Sequence, residues 1–248
     1  MKVVILAAGY ATRLYPLTVD TPKCLLPVAG KTILDWIFKK LEALNEIEEI
    51  VIVTNTKFFD KLNSWKRKAQ TSLSIRLVND GTVSNETRLG AVRDLRLGIG
   101  EEGRSSDWLV LASDNLFDGC LNDFLTFSES KKPAVTIALY DIGDRKLGAG
   151  RFGVIEIDGF SEVTCIEEKP PEPKSSLVGM GVYYFPKTTL GLMDEYLLQP
   201  GAQDAPGYYL QWLAGRARIF GFPFSGMWYD IGDLGALKQA DAVFTRKN

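Results

Sequence analysis

Apolar and polar positions along the chain keep two alternating rhythms. Val3 to Ala8 is a short, continuous apolar run, rich in β-branched side chains and closed by Gly9, the pattern of a strand buried on both faces of a parallel sheet. From Thr32 onward Ile33, Leu34, Ile37, Phe38, Leu41 and Leu44 recur at helical spacing with charges between them, and Thr32 with Asp35 forms a capping pair. Further strands are predicted at Ile50 to Thr54, Leu73 to Val78 and Trp108 to Ala112, with helices at Phe58 to Ala69 and Arg88 to Leu97 between them. This β-α-β-α succession predicts an α/β fold: a doubly wound, mostly parallel, Rossmann-like sheet flanked by helices. Ligands of such sheets bind outside the carboxyl ends of the strands.

Beyond a helix at Cys120 to Phe127 and a strand at Ala134 to Tyr140 the rhythm shortens. Gly153 to Ile157 and Val163 to Glu167 flank Asp158-Gly159, a two-residue turn signal, and Val178 to Phe185 reads as another strand. Helices at Lys187 to Leu198 and Gly235 to Phe244 close the chain, and Lys169 to Pro173 reads as a stiff connection. The β-rich part is read as an insertion that covers the sheet, supplies the pocket for a second substrate and shares one core with the first half. The expected organisation is thus a single domain over residues 1–248, with residues 1–140 as its first half.

Composition narrows the chemistry more than the fold. With 46% hydrophobic and 24% charged residues the chain is ordinary globular protein rather than a disordered or low-complexity one. The 29 basic residues against 31 acidic ones give a net charge of −2, so no general attraction to nucleic acid is expected and any phosphate must be bound locally. The longest apolar stretch is too short for a membrane span and carries no secretory pattern, so a cytoplasmic location is expected. Cys24, Cys120 and Cys165 match no zinc or redox spacing and read as buried small apolar residues. The absence of histidine excludes Ser-His-Asp triads, Cys-His pairs and HExxH zinc sites. What remains is chemistry on carboxylates, Lys, Arg, backbone amides and a hard metal ion.

The densest chemistry lies in Leu6-Ala-Ala-Gly9-Tyr-Ala-Thr12-Arg13-Leu14-Tyr-Pro16-Leu-Thr18 and Thr21-Pro22-Lys23-Cys-Leu25-Leu-Pro27-Val-Ala-Gly30-Lys31. Small residues at a strand's carboxyl end let backbone amides approach phosphate oxygens, and Arg13 and Lys23 add charge beside them, as in a triphosphate cradle. Two other cradles fail: Tyr10, Ala11 and Thr12 break the dinucleotide glycine pattern, and Leu25 stands where a Walker motif before Gly30-Lys31-Thr32 needs glycine. Together with Leu109-Val-Leu-Ala-Ser-Asp114-Asn115, Glu167-Glu168-Lys169-Pro170 and Trp228-Tyr-Asp230-Ile-Gly232, these segments resemble the signature of the sugar-1-phosphate nucleotidyltransferases. The resemblance runs over nearly the whole chain, and in overall layout it is nearest to the glucose-1-phosphate thymidylyltransferase branch.

The resemblance implies transfer of a nucleoside monophosphate from a nucleoside triphosphate to a sugar-1-phosphate, releasing pyrophosphate, with Mg²⁺ as cofactor. It implies nucleotide contacts from Leu6, Ala7, Gly9 and Thr12, with Arg13 and Lys23 as the catalytic cations on the phosphates. Asp114 and Asp230 would hold the metal, Glu168 the sugar hydroxyls and Lys169 the sugar phosphate, with Gly153 and Gly181 beside the sugar, so that residues 1–140 form the nucleotide-binding half and residues 141–248 the sugar-phosphate half and closing helices. Each residue also has a plainer reading: solvated charges for Arg13 and Lys23, a turn or cap for Asp114, a surface ion pair for Glu168 and Lys169, backbone shape for the glycines. Where family members carry a Gln-Pro or Gly-rich element that reads the base, this chain has Val78-Asn79-Asp80-Gly81-Thr82 and Thr87-Arg88-Leu89-Gly90. That segment is slightly more like the cytidylyl branch and favours a pyrimidine; Asn79 is a candidate base contact and equally a turn residue. Trp228 and Tyr229 read as packing, and Asp233 as a helix cap. Homodimers or homotetramers are an expectation from the family. A cytidylyltransferase for phosphocholine or another non-sugar phosphate, and a non-catalytic nucleotide-sugar sensor or regulatory subunit, are the competing readings.

Overall fold

The computed structural model describes residues 1–247, the last of them by its backbone alone. Its centre is four parallel strands, β1 (Lys2–Leu6), β4 (Glu49–Thr54), β5 (Ile75–Asn79) and β6 (Trp108–Ala112), ordered β6-β1-β4-β5. Between β1 and β4 stand a short hairpin, β2 (Pro27–Val28) and β3 (Lys31–Thr32), and helix α1 (Ile33–Leu41); α2 (Thr56–Lys68) and α3 (Ala91–Ile99) fill the later crossovers. Thr32 and Asp35 close α1 as the expected capping box, with Asp35 N donating to Thr32 Oγ1 at 3.1 Å and Thr32 N to Asp35 Oδ2 at 2.9 Å. Side chains alternate across β1 as they must in a sheet: Val3 and Ile5 enter one core with α1 and α2, and Val4 enters the other with α3.

A short strand β7 (Asn115–Phe117), helix α4 (Leu121–Lys131) and strand β8 (Val135–Asp141) follow, then β9 (Gly153–Ile157), β10 (Val163–Glu168) and β11 (Leu177–Phe185). The β-rich half extends the same sheet: β11 runs antiparallel beside β6 and pairs with β8, and β9 and β10 continue beyond it. The chain ends through α5 (Gly191–Leu197), α6 (Pro206–Leu213), β12 (Ile219–Pro223), β13 (Trp228–Asp230) and α7 (Leu234–Lys247). Strand β12 lies parallel to β8, and β13 pairs with β7 in a separate two-stranded ribbon. Helices α4 and α7 join α1 and α2 on one face; α5 and α6 join α3 on the other. Arg96 and Arg104 both reach Asp194, tying α3 and the turn after it to α5. Among the described residues no helix is long and apolar enough to cross a membrane.

Several boundaries differ from the expected ones for local reasons. Helix α3 starts at Ala91 rather than Arg88, because Arg88 is extended and Gly90 takes φ +95°. Asp158-Gly159 is not a two-residue turn: Asp158 Oδ1 accepts from Phe160 N and Glu162 N, and Ser161 takes the left-handed conformation in a longer loop. The helix expected from Lys187 is a tight turn at Lys187–Thr189 followed by α5. Of the cysteines expected inside, Cys24 is buried, with its thiol pushed up to about 12 by burial, Cys165 is half-buried, and Cys120 is exposed just before α4. Helix α6 and strand β12 were not legible as elements in the sequence pattern, α6 being apolar on most of its circumference.

Candidate active site

The carboxyl end of β1 feeds straight into the glycine-bearing loop. Ala7 N donates to Val53 O at 2.8 Å and Asn55 Nδ2 to Ala8 O at 2.9 Å, so the loop is anchored from β4 and from the N-cap of α2. Ala11 is left-handed at φ +48°, and Thr18 Oγ1 donates to its carbonyl at 2.8 Å. These contacts leave Gly9, Thr12 and Arg13 exposed at the mouth while Ala7 is buried and Leu6 half-buried. Arg13 reaches across the loop: a Cβ built on Gly232 would lie 3.9 Å from its Nη2 and 3.4 Å from Asp230 Oδ2.

Asp114 and Asp230 are 116 positions apart in sequence and are brought together by the β7–β13 ribbon, in which Asp230 pairs with Asn115 and Ile231 N donates to Asp114 O at 3.0 Å. Lys23 Nζ lies 2.7 Å from Asp114 Oδ2, and its side chain is only 14% exposed. Asn115 ties the pieces together, donating through Nδ2 to Asp114 Oδ1 at 3.0 Å and accepting at Oδ1 from Trp228 Nε1 at 2.7 Å. Burial first, and the charge of Asp114 second, hold the Asp230 carboxyl above its ordinary range; Lys23, Arg13 and Arg151 pull the other way. The two adjacent carboxylates offer only oxygen donors. That suits Mg²⁺, which binds one or two carboxylates and completes its shell with water and substrate phosphate. Among the described residues no group of three or more metal-ligating side chains is gathered.

Beside this pair opens a cavity of about 240 Å³ whose lining includes Asn115, Arg151, Phe152, Gly153, Glu168, Gly181, Tyr183, Gly207, Trp228 and Asp230. The Glu168 side chain is 8% exposed, and burial pushes its carboxyl up against the weaker pull of Lys169, whose Nζ stands 3.7 Å away. The glycines around it are dictated by close approach: a Cβ at Gly207 would overlap the Glu168 carboxylate, and one at Gly181, already at φ +70°, would sit 2.8 Å from Ala112 Cβ and 2.9 Å from Asn115 Nδ2. Lys169 itself is left-handed at φ +49° although Pro170 follows, a conformation of a kind that costs about 1–3 kcal/mol and gathers at functional sites.

Of the residues singled out from sequence, Arg13, Lys23, Asp114 and Asp230 meet around one point, and Gly153, Glu168 and Gly181 line the adjoining cavity. Asn79 stands apart on the rim of β5, where its Oδ1 accepts from Thr56 Oγ1 at 3.0 Å and Gly81 N at 2.9 Å and so shapes the turn. Asp233 caps the last helix, accepting from Ala236 N at 2.9 Å. Trp228 packs against Tyr140 and Phe152, as expected, and also walls the cavity. The sequence reading passed over Asn115 as a bridge, Arg151, Gly207 and the buried Asp94. The neighbouring Asp114 and Gly153 were the available signals for Asn115 and Arg151; Gly207 had none, because its helix was not read.

Residues 2–247 match the family described as nucleotidyl transferase, and the chain belongs to that family. It is 30% identical, over 94% of its length, to a Sulfolobus acidocaldarius protein provisionally named a mannose-1-phosphate guanyltransferase, covering 60% of that protein. It is 28% identical, over 75% of its length, to the glucose-1-phosphate thymidylyltransferase of Streptomyces antibioticus, covering 49% of it. The chain thus spans about half to three-fifths of the curated relatives it matches. Among solved structures, a Bacillus anthracis protein provisionally described as a glucose-1-phosphate thymidylyltransferase, in complex with sucrose, superposes with a TM-score of 0.83 at 27% identity, over 100% of this chain and 96% of that one.

Proposed function

We propose that this chain transfers a nucleoside monophosphate from a nucleoside triphosphate to a sugar-1-phosphate. The observation that supports this best is the ribbon that sets Asp230 beside Asp114 and Lys23, at the mouth of a cavity holding a buried carboxylate, Glu168. In this reading the loop from Leu6 to Arg13 receives the triphosphate, with Arg13 and Lys23 on its phosphates. Asp114 and Asp230 hold Mg²⁺, which when bound supplies charge for the departing pyrophosphate. Glu168 accepts hydrogen bonds from sugar hydroxyls, and the carboxylate's burial strengthens each one. A phosphate monoester is already an anionic nucleophile at neutral pH, so the reaction needs positioning and charge neutralisation and no general base, in keeping with a chain without histidine.

The test is pyrophosphate release with Mg²⁺ over a matrix of donors and acceptors. The donors include the pyrimidine triphosphates favoured by the segment from Val78 to Gly90 and GTP, the donor implied by the name of the S. acidocaldarius relative. The acceptors are glucose-1-phosphate, mannose-1-phosphate and phosphocholine. Release that requires a sugar phosphate supports the reading. Release only with phosphocholine, or nucleotide binding without release from any pair, overturns it.

A further inference from the structure

The loops on either side of the acceptor cavity are fastened to each other through their backbones. Lys169 N donates to Phe152 O at 3.1 Å and Gly150 N to Pro170 O at 3.0 Å, continuing the β9–β10 ladder past its last pair, Glu168 with Gly153. Arg151 is held between those two bonds, next to Lys169, and lines the cavity together with Asp230 and Glu168. Its guanidinium rests 5.0 Å from the Phe152 ring, whose other neighbour is Trp228 at 5.3 Å, so the arm is propped rather than free to sweep. Among the described residues no carboxylate lies within 4.0 Å of it, whereas Lys23 is paired with Asp114 and Lys169 stands 3.7 Å from Glu168.

Charge accounting then separates the cations. Glu168 offsets Lys169, whereas Arg151, which acts on Asp230 and Asp233 from a distance and is paired to neither, leaves its guanidinium fork available to a phosphate dianion. A lysine ammonium grips a phosphate as a point charge and leaves it free to turn, while a guanidinium fork spans two oxygens and fixes the third. We propose that Arg151 is a further acceptor-binding residue: with Lys169 it clamps the acceptor's phosphate and aims its remaining oxygen toward the donor held beside Asp230. That oxygen attacks the α-phosphorus, a P–O bond forms, and the bond from the α-phosphorus to its bridging oxygen breaks with its electron pair leaving on pyrophosphate. No proton is required on either side of the step. The assignment rests on the transferase reading above and names the group that sets its acceptor geometry.

The experiment compares wild type, Arg151→Gln and Arg151→Lys in the full chain, measuring KM separately for the acceptor and the donor. Arg151 is exposed, and an unchanged donor KM reports an intact fold. The expected result is an acceptor KM at least tenfold higher in Arg151→Gln with donor KM within twofold, and an intermediate value in Arg151→Lys, which keeps the charge and loses the fork. An unchanged acceptor KM in Arg151→Gln, with wild type still acceptor-dependent, overturns the assignment and leaves the transferase reading intact. If wild type turns over no acceptor, binding decides: glucose-1-phosphate is titrated with inorganic tripolyphosphate filling the donor cradle. Weaker binding to Arg151→Gln than to wild type supports the assignment, and equal binding, or none to wild type, overturns it.

Discussion

The carboxylates of this molecule divide by what faces them. Asp114 and Asp230 meet at the point where the proposed function puts substrate phosphate and a cation, so on that proposal replacing either by Asn should leave the fold intact and remove turnover. Preorganised charge stabilisers are worth about 3–4 kcal/mol, so a loss of at least a hundredfold in pyrophosphate release is expected, with an unchanged circular dichroism spectrum. Asp94 is a different case. It is 7% exposed, its Oδ1 has no partner, and burial followed by the charges of Asp80 and Asp204 pushes its carboxyl up to about 7. The folded chain therefore holds that proton through a range in which the unfolded chain, titrating at about 4, has released it, so stability falls as pH rises from about 4 to about 7 and levels off above. Asp94→Asn should raise the melting temperature relative to wild type at pH 8 and do so much less at pH 5; an equal difference at both pH values would refute the assignment. Arg13, Lys23, Asp114 and Glu168 were legible in sequence because they sit in long motifs next to strand ends. Asp94 was not, since a lone Asp in the first turn of a helix ordinarily faces solvent and favours the helix dipole.

Two elements do more for the site than their length implies. The β7–β13 ribbon has three residue pairs, yet it carries Asn115, Trp228 and Asp230 and joins the turn after β6 to the last helix. Helix α6 sets its first turn against Glu168 so closely that Gly207 cannot carry a side chain without displacing the carboxylate. Gly207→Ala should cost about 1–3 kcal/mol in urea unfolding, as overpacking does, and raise the acceptor KM while sparing the donor KM. Equal changes in both constants would mean that α6 supports the fold and not the acceptor pocket. Both elements escaped the sequence pattern for physical reasons. A three-residue strand has too few positions to show a period, and α6, whose Tyr209, Leu210 and Leu213 are buried in one core with Tyr196, has little polar face to mark one.

Over the whole molecule the parallel core was readable because β1, β4 and β6 are buried on both faces and write themselves as unbroken apolar runs. The β-rich half was read less well. Its strands were found, but their joining of the same sheet depends on pairings such as β11 with β6 and β12 with β8 that local pattern does not encode. Those distant pairings give the chain a history as well as a shape. In synthesis the loop of Gly9 and the arm of Lys23 precede Asp114, and Asp230 follows only 116 residues later. A ribosome-bound fragment ending before Trp228 carries the nucleotide cradle without the second carboxylate, and closing a loop of this length is slow beside the local pairing of helices. In refolding monitored by pulsed hydrogen exchange, the amides of β1 and β4 should be protected before that of Ile231, and turnover should return with Ile231; simultaneous protection would refute this order. On the proposed function the arrangement is a form of quality control written into connectivity: a chain made only as far as β12 would hold a triphosphate without the second carboxylate, so turnover would certify that β13 is in place.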